Sequence, residues 1–324
     1  MDLPEVVKIV DSFKDKKICI IGDLMLDKYI YGDVERISPE APIPVVKISS
    51  ESFSPGGAGN VANNVASLGG SAFIVGVIGQ DSSGENLLLA FKERNINTEG
   101  IIIDTTKKTI EKTRVIARGQ HMIRIDSEND TYIDKKHEKK IFEYINAHLN
   151  KFDCIVISDY AKGTLTGALT RKIIDFSNKH KIPVIVDPKP QHASFYKNAF
   201  ILTPNQKEAE QISGVTKDII KMGKKIKKQL NCNVLITQGA QGMTLFEGNK
   251  TQHFPAKPKE VFDVAGAGDT VVAGIALSLA CGAPLKIAAT IANHAAGIVV
   301  GKVGTATTSI EELKTDILEN GIDQ

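Results

Sequence analysis

An aspartate beside a glycine-rich turn is the residue of this sequence with the clearest chemical potential. The stretch Asp263-Val-Ala-Gly-Ala-Gly-Asp269-Thr270 leads into an apolar run that stops at Gly282, which predicts a helix beginning near Asp269. The amides of Gly266 and Gly268 can point at a phosphate, and a helix amino terminus favours negative charge. A carboxylate placed there can accept the proton of an attacking hydroxyl. The competing interpretation is that Asp269 only caps the helix.

A second glycine-rich stretch, Ser54-Pro-Gly56-Gly57-Ala-Gly59-Asn60-Val-Ala-Asn63-Asn64, contains residues suited to a polar ligand. Its small residues permit close approach of the backbone, and side chains such as Asn60 can both donate and accept hydrogen bonds with sugar hydroxyls. The stretch also matches the G-x-G-x-x-A dinucleotide pattern, but the residues before it are polar and no acidic residue follows at the expected distance. Nicotinamide cofactor binding is therefore the weaker interpretation. No P-loop motif occurs.

Charged residues at the ends of apolar runs suggest what kind of substrate the protein takes. Asp23 follows the first run and could bind a pair of sugar hydroxyls or simply form a turn. Lys162 and Lys189 each follow a later run, and Arg114 and Arg124 lie in a region of short predicted strands. A sugar that already carries a phosphate needs such cations to offset its charge. Taken singly, each of these cations is better explained as a solvated surface residue, and only the joint placement of Lys162 and Lys189 after strands makes a role at the site equally compatible with the sequence.

The elements that must position these residues alternate along the chain. Ile- and Val-rich runs predict strands, and longer amphipathic stretches between them predict helices. The predicted strands are Lys17–Gly22, Ala72–Gly79, Cys154–Ser158, Val184–Asp187, Phe200–Thr203 and Asn233–Thr237. The predicted helices include Ala58–Leu68, Glu85–Arg94, Asp134–Leu149, Thr166–His180, Asp218–Leu230 and Thr270–Ala280. This order favours an α/β fold with a mostly parallel sheet flanked by helices, whose ligands lie beyond the carboxyl ends of the strands.

Two regions interrupt this alternation, at about 29–50 and 109–126. The second contains two short predicted strands, Thr113–Ala117 and Met122–Asp126, joined through Gly119. We predict that the two regions form a small antiparallel sheet that acts as a lid on a single domain spanning residues 1–324. An exposed sheet of this kind needs covering, so we expect a homodimer that forms through it.

Composition excludes several classes of partner. The formal net charge is +2 with 24% charged residues, so nothing favours binding to nucleic acid or to an anionic membrane surface. No signal peptide and no apolar run of transmembrane length occur. Four cysteines are far apart in sequence, which indicates free thiols and a cytoplasmic location.

The two glycine motifs together make the sequence resemble the ribokinase (PfkB-type) carbohydrate kinases over nearly its full length. That resemblance implies a ribokinase-like fold, ATP and Mg²⁺ as cofactors, and Asp269 as the catalytic base. It implies further roles position by position. Gly266, Ala267 and Gly268 would form the anion hole. Asn205 and Glu208 would hold the Mg²⁺–ATP phosphates through water, with no direct protein ligand to the metal. Thr237, Gly239, Gly242 and Asn293 would border the nucleotide, and Asp23, Gly56, Gly57 and Asn60 would bind the sugar.

Several segments are similar to the heptose-7-phosphate kinase branch of that family. They are Gly22–Asp27, Arg36–Pro42, Ser158–Gly163, Asp187–Lys189 and Thr203–Glu208. The resemblance implies phosphorylation of the anomeric hydroxyl of D-glycero-D-manno-heptose 7-phosphate, a step towards ADP-heptose and the lipopolysaccharide core. In that branch a nucleotidyltransferase domain often follows, and we expect none here because no H-x-G-H signature occurs. The alternatives are a kinase for another sugar, sugar phosphate or nucleoside, and an inactive sugar- or nucleotide-sensing protein on the same scaffold.

Overall fold

The computed structural model describes residues 3–256, 263–302, 304 and 306–321. Within these residues the chain forms one large and one small sheet, with helices packed mainly against the large one. The strands are β1 (Lys17–Gly22), β2 (Leu24–Ile37), β3 (Pro44–Gly57), β4 (Ser71–Gly79), β5 (Asn97–Asp104), β6 (Ile110–Ala117), β7 (Gln120–Ser127), β8 (Cys154–Ser158), β9 (Val184–Asp187), β10 (Ile201–Leu202), β11 (Asn233–Thr237), β12 (Met243–Glu247) and β13 (Lys250–Phe254).

The large sheet has the order β13-β12-β11-β10-β9-β8-β1-β4-β5 in the described part of the chain. Its pairs from β11 to β5 are parallel, and only β12 and β13 run antiparallel, at one edge. The central strands β1 and β8 are buried almost throughout because both of their faces are covered. All six strands predicted from the sequence are present, and the α/β fold with a mostly parallel sheet is confirmed.

Helices cover both faces of this sheet. They are α1 (Leu3–Asp11), α2 (Ala58–Ser67), α3 (Ser82–Glu93), α4 (Lys135–His148), α5 (Gly167–Lys179), α6 (Gln206–Ser213), α7 (Ile219–Leu230), α8 (Ala267–Ala280), α9 (Leu285–Val299) and α10 (Ile310–Asn320). Helices α1, α2, α3, α8, α9 and α10 contribute to one apolar core, and α4, α5, α6 and α7 contribute to a second core on the opposite face. The predicted helix at Thr270–Ala280 begins three residues earlier, at Ala267.

The small sheet has the order β3-β2-β6-β7. It contains the two regions that the sequence singled out, but it is mixed and not antiparallel, because β2 and β6 pair in parallel. The physical reason is topological: β6 enters from β5 of the large sheet, so its direction relative to β2 is not set by a hairpin. Strand β7 is exposed along its whole length, whereas β2 is buried where it leaves the large sheet.

Two further observations concern composition. The cysteines are free thiols, with Cys19, Cys154 and Cys232 buried and Cys281 half-buried. In the described ranges, none of the helices combines the length and the apolar character needed to cross a membrane.

Candidate active site

Asp269 lies in the first turn of α8, at the edge of the large sheet where the parallel strands end. Its side chain is 8% exposed, and both of its carboxylate oxygens accept hydrogen bonds. Asn60 Nδ2 donates to Oδ2 at 2.6 Å, and the hydroxyl of Tyr160 donates to Oδ1 at 3.2 Å. Asn60 comes from the first turn of α2, so the two glycine motifs meet at this carboxylate.

Burial raises the pKa of Asp269 to about 6, and the nearby charge of Asp27 acts in the same direction. The hydrogen bonds from Asn60 and Tyr160 and the positive charge of Lys189 oppose that rise. A carboxylate with a pKa near 6 is ionised at neutral pH and is a stronger base than an ordinary surface aspartate. The arrangement therefore suits proton abstraction from a hydroxyl.

The glycine-rich turn before α8 has the conformation that an anion site requires. Gly266 is left-handed, with φ of 80°, and is the N-cap of α8. Asp263 holds the turn by accepting hydrogen bonds from the amides of Ala265 (2.9 Å) and Gly304 (3.2 Å). A Cβ atom placed on Gly268 would meet no atom within 4 Å apart from its chain neighbours and the backbone of its own helix, among the described residues. The backbone of the turn is thus accessible at the amino terminus of a helix, where negative charge is favoured.

Asp23 adopts the turn-forming role that its sequence pattern also allowed. Its side chain is fully buried, and its oxygens accept hydrogen bonds from the amides of Tyr160 (2.9 Å), Lys162 (3.0 Å) and Thr164 (3.0 Å). The expectation that this carboxylate faces a sugar is corrected, because it points under the loop after β8. By fixing that loop, Asp23 helps to present the Tyr160 hydroxyl to Asp269.

Asp27 is the carboxylate that faces Asp269 from the small sheet. It is 5% exposed and forms an ion pair with Arg114. A Cβ atom on Gly56 would lie 2.5 Å from Asp27 Oδ2, so only glycine permits this approach. Gly57 is left-handed, with φ of 57°, and precedes α2. The sequence placed Asp27 after the first strand but gave it no role; its position in register with the start of β6 was not visible there.

The predicted nucleotide residues Asn205 and Glu208 form a reciprocal capping box at the start of α6. The Asn205 side chain accepts from the Glu208 amide, and Glu208 Oε2 accepts from the Asn205 amide, both at 3.0 Å. Glu208 Oε1 also accepts from Lys189 Nζ at 2.9 Å. The ammonium group of Lys189 lies 5.2 Å from the centre of the Tyr160 ring. Lys189 therefore lies next to Asp269 and the capping box, and not near the small sheet.

Asp187, directly after β9, is a further carboxyl group at this edge that sequence reasoning left without a role. Its side chain is half-buried, and burial together with the charges of Asp269 and Glu208 raises its pKa well above the usual value. No hydrogen bond or ion pair of this side chain occurs among the described residues. Its position at a strand end in the middle of the parallel sheet was the signal available in the sequence.

The remaining predicted nucleotide residues lie around the end of β11. Thr237 forms an isolated parallel bridge with Asn205. Gly239 and Gly242 are left-handed, with φ of 57° and 87°, and Gly239 borders open space. Asn293 Nδ2 donates to the carbonyl of Pro255 at 2.8 Å, which ties α9 to the segment after β13.

Oxygen ligands for a cation are present, although not as a closed site. Within residues 3–256, 263–302, 304 and 306–321, no three acidic, histidine or cysteine side chains are close enough to hold a metal ion directly. Asp187 and Glu208 still bring two carboxylates near Asp269, and their mutual repulsion would be relieved by a divalent cation. This donor chemistry fits Mg²⁺, which keeps several waters when it binds proteins.

The cations predicted for a substrate phosphate are all paired in the structure. Lys162 contacts two acidic residues after β7, Arg114 contacts Asp27, and Arg124 contacts Asp126 at 2.9 Å. Arg124 is largely exposed. The structure thus brings Asp269, Asn60, Gly266–Gly268 and Lys189 together at one centre and places Lys162 beside the small sheet.

The chain is similar to several known proteins. Residues 15–313 match the profile described as pfkB family carbohydrate kinase. The chain is 45% identical over 300 residues to the bifunctional protein HldE of Geobacter sulfurreducens, covering 91% of this chain and 61% of that protein. It is 42% identical to the HldE protein of Sulfurimonas denitrificans, covering 65% of it. The chain therefore spans less than two thirds of these relatives. Thermotoga maritima ribokinase superposes with a TM-score of 0.75 at 24% identity, covering 94% of this chain and 99% of that one.

Proposed function

The chain belongs to the pfkB family of carbohydrate kinases, and from this premise we propose that it phosphorylates D-glycero-D-manno-heptose 7-phosphate on the anomeric hydroxyl. The products are the 1,7-bisphosphate and ADP, and the phosphoryl donor is ATP with Mg²⁺. The choice of substrate rests on the similarity to the bifunctional HldE proteins, and this chain corresponds to part of their length. The observation that carries the reaction type is the Asp269 carboxylate beside the open Gly266–Gly268 turn.

Asp269 accepts the proton of the anomeric hydroxyl in this proposal. Asn60 and Tyr160 fix the orientation of the carboxylate, and both lower its pKa, which keeps it ionised at neutral pH. The deprotonated sugar oxygen forms a bond to the γ-phosphorus, and the bond to the β–γ bridging oxygen breaks. The amides of Gly266 and Gly268 face the negative charge that develops on the transferred group in this proposal, whereas the Ala267 amide donates to the carbonyl of Val264 at 3.3 Å.

Sugar recognition is proposed for the residues around Asp27, where the small sheet meets α2. Asp27 replaces Asp23 as the carboxylate that accepts hydrogen bonds from sugar hydroxyls, since Asp23 is occupied by backbone amides. Gly56 and Gly57 provide the close backbone approach. The Oδ1 atom of Asn60 is buried and has no hydrogen-bond partner in the described structure, so it is free to accept from a sugar hydroxyl.

The nucleotide is proposed to lie along the edge from α6 to α9. Asn205, Glu208 and Asp187 would supply the oxygen atoms that hold hydrated Mg²⁺ and the ATP phosphates at this edge. When bound, Mg²⁺ would neutralise charge on the phosphate oxygens. Lys189 lies between Glu208 and Tyr160 and offsets negative charge where the phosphoryl group passes. The adenine base is bordered by Thr237, Gly239, Gly242 and Asn293.

The decisive experiment is mass spectrometry of the product formed from heptose 7-phosphate and Mg²⁺–ATP. A product heavier by one phosphoryl group, with acid-labile phosphate at the anomeric carbon, is expected. A panel of ribose, fructose 6-phosphate and tagatose 6-phosphate, read by coupled ADP release, serves as comparison. Turnover on one of these sugars without turnover on heptose 7-phosphate would reject the proposed substrate while keeping the kinase.

A further inference from the structure

Three lysines from separate elements converge beside the small sheet. Lys107 comes from the loop between β5 and β6, Lys112 from β6 and Lys162 from the loop after β8. All three point at the segment of residues 126–131, which begins at the end of β7. Lys107 Nζ donates to the carbonyl of Thr131. We call Lys107, Lys112 and Lys162 the lysine cluster.

Glu128 bridges two members of this cluster. Its Oε1 lies 2.7 Å from Lys162 Nζ, and its Oε2 lies 3.4 Å from Lys112 Nζ. Asp130 approaches Lys162 at 2.9 Å, and Asp126 approaches Lys112 at 3.3 Å. A carboxylate held between two ammonium groups has the shape of a bridging phosphate, with one oxygen directed at each cation.

The cluster lies next to the proposed sugar site. Lys112 is the registered partner of Asp27 across β2 and β6, so both side chains project from the same face of the small sheet. Lys162 belongs to the loop whose amides Asp23 holds and which presents Tyr160 to Asp269. A sugar with one hydroxyl at Asp269 and its ring near Asp27 would extend its far end towards these lysines.

A cleft of about 690 Å³ adjoins the segment that the lysine cluster contacts. It is lined by Lys108, Glu128 and Asp130, among others, and the three lysines of the cluster lie outside this lining. Residues 128–134 form neither helix nor strand, so Glu128 is not held by regular backbone hydrogen bonding. Its ion pairs are partly exposed, with 29% of the side chain accessible, and pairs of this kind contribute little to stability. Replacing the Glu128 carboxylate by a stronger anion therefore costs little free energy.

We propose that the lysine cluster is the subsite for the phosphate already carried by the substrate, and that Glu128 occupies it as an internal substitute until the substrate arrives. A phosphate monoester carries a charge of about −1.5 to −2 and three acceptor oxygens, against one charge and two oxygens for Glu128. It displaces the carboxylate for that reason, whereas a sugar without phosphate cannot. Glu128 would thereby contribute to selection of phosphorylated substrates. This inference rests on the proposed function for its substrate class.

The test compares Glu128→Gln with the matched control Glu51→Gln. Glu51 pairs with Lys28 at 3.1 Å on the opposite face of the same sheet, so the control removes the same charge from an ion pair that does not face the lysine cluster. In the kinase assay, Glu128→Gln should lower KM for heptose 7-phosphate by about three- to tenfold with kcat little changed. Glu51→Gln should leave both unchanged. An unchanged or raised KM in Glu128→Gln overturns the proposal.

A second measurement separates the subsite from the choice of sugar. Inorganic phosphate is titrated by calorimetry into the wild type, Glu128→Gln and the double variant Glu128→Gln/Lys162→Met without ATP. Tighter phosphate binding in Glu128→Gln that disappears in the double variant supports the subsite, even if heptose 7-phosphate is not turned over. Equal phosphate affinity in all three proteins rejects it, even if heptose 7-phosphate proves to be the substrate.

Discussion

The two sheets of this protein differ in how completely other parts of the chain cover them. Strands β1 and β8 of the large sheet are covered on both faces, and the residues at their carboxyl ends meet at one centre. The small sheet has a polar face towards that centre and exposed apolar residues elsewhere, among them Ile123 and Ile125. The large sheet can therefore hold the catalytic residues that members of a family share. Residues of the small sheet can change, and with them substrate choice and association, without disturbing the core.

Asp269 is the carboxylate fixed by the large sheet and its helices. If it were dispensable, the chemistry would not depend on the large sheet. Asp269→Asn should reduce kcat by about two to four orders of magnitude, the usual contribution of a general base. ATP should still bind, as measured by calorimetry. Turnover within a fewfold of the wild type would show that another group takes the proton.

Asp269→Asn also has an expected effect on stability. Because the pKa of Asp269 in the folded protein lies above the ordinary aspartate value, ionisation between about pH 4 and pH 6 weakens the folded state. The neutral asparagine avoids that cost, so Tm at pH 7.5 should be at least as high as in the wild type. A marked drop in Tm would attribute the lost activity to misfolding.

Asn60 joins the two regions, since it lies in the first turn of α2, directly after β3, and donates to Asp269. Asn60→Ala should lower kcat by about ten- to a hundredfold, because the base loses one orienting hydrogen bond. The hydrogen bond lowers the pKa of Asp269, so its removal should raise that pKa. The acid limb of the kcat–pH profile should then move from about pH 6 to higher pH. A reduced kcat with an unmoved acid limb would reduce Asn60 to a packing role.

These residues also show what the sequence could and could not predict. Asp269, Gly266 and Asn60 were predicted because their motifs flank helix starts, and local signals of that kind do not depend on distant packing. The sequence pointed to Asp23 and gave Asp27 no role, because both follow the same strand and no local signal distinguishes them. Which of them faces the site depends on the loop after β8 and on the register between β2 and β6. The mixed order of the small sheet was missed for the same reason, since strand pairing between distant segments leaves no local signal.

The small sheet should mediate the association of two copies of the chain. We propose that its exposed apolar residues pack against a second copy of the chain, so Ile123→Asp should weaken the dimer by tenfold or more in analytical ultracentrifugation. Leu89→Asp on α3 is the matched control, because Leu89 and Ile123 are 58% and 57% exposed. Equal effects of the two substitutions, or a monomeric wild type, would contradict association through this sheet.

The smallest expected effect is that of removing a helix cap. It tests whether Asn205 only stabilises its helix or also contributes to nucleotide binding. Asn205 and Ser309 both form capping boxes, at the starts of α6 and α10, with Glu208 and Glu312 as their partners. Loss of either cap should cost about 1 kcal/mol of unfolding free energy. Only Asn205 lies beside Thr237 and the proposed phosphate path, so Asn205→Ala should also raise KM for ATP severalfold, and Ser309→Ala should not. If both variants lose the same stability and neither changes KM for ATP, Asn205 is a helix cap and nothing more. The ATP phosphates would then have to be held by Lys189, Asp187 and the glycine turn alone.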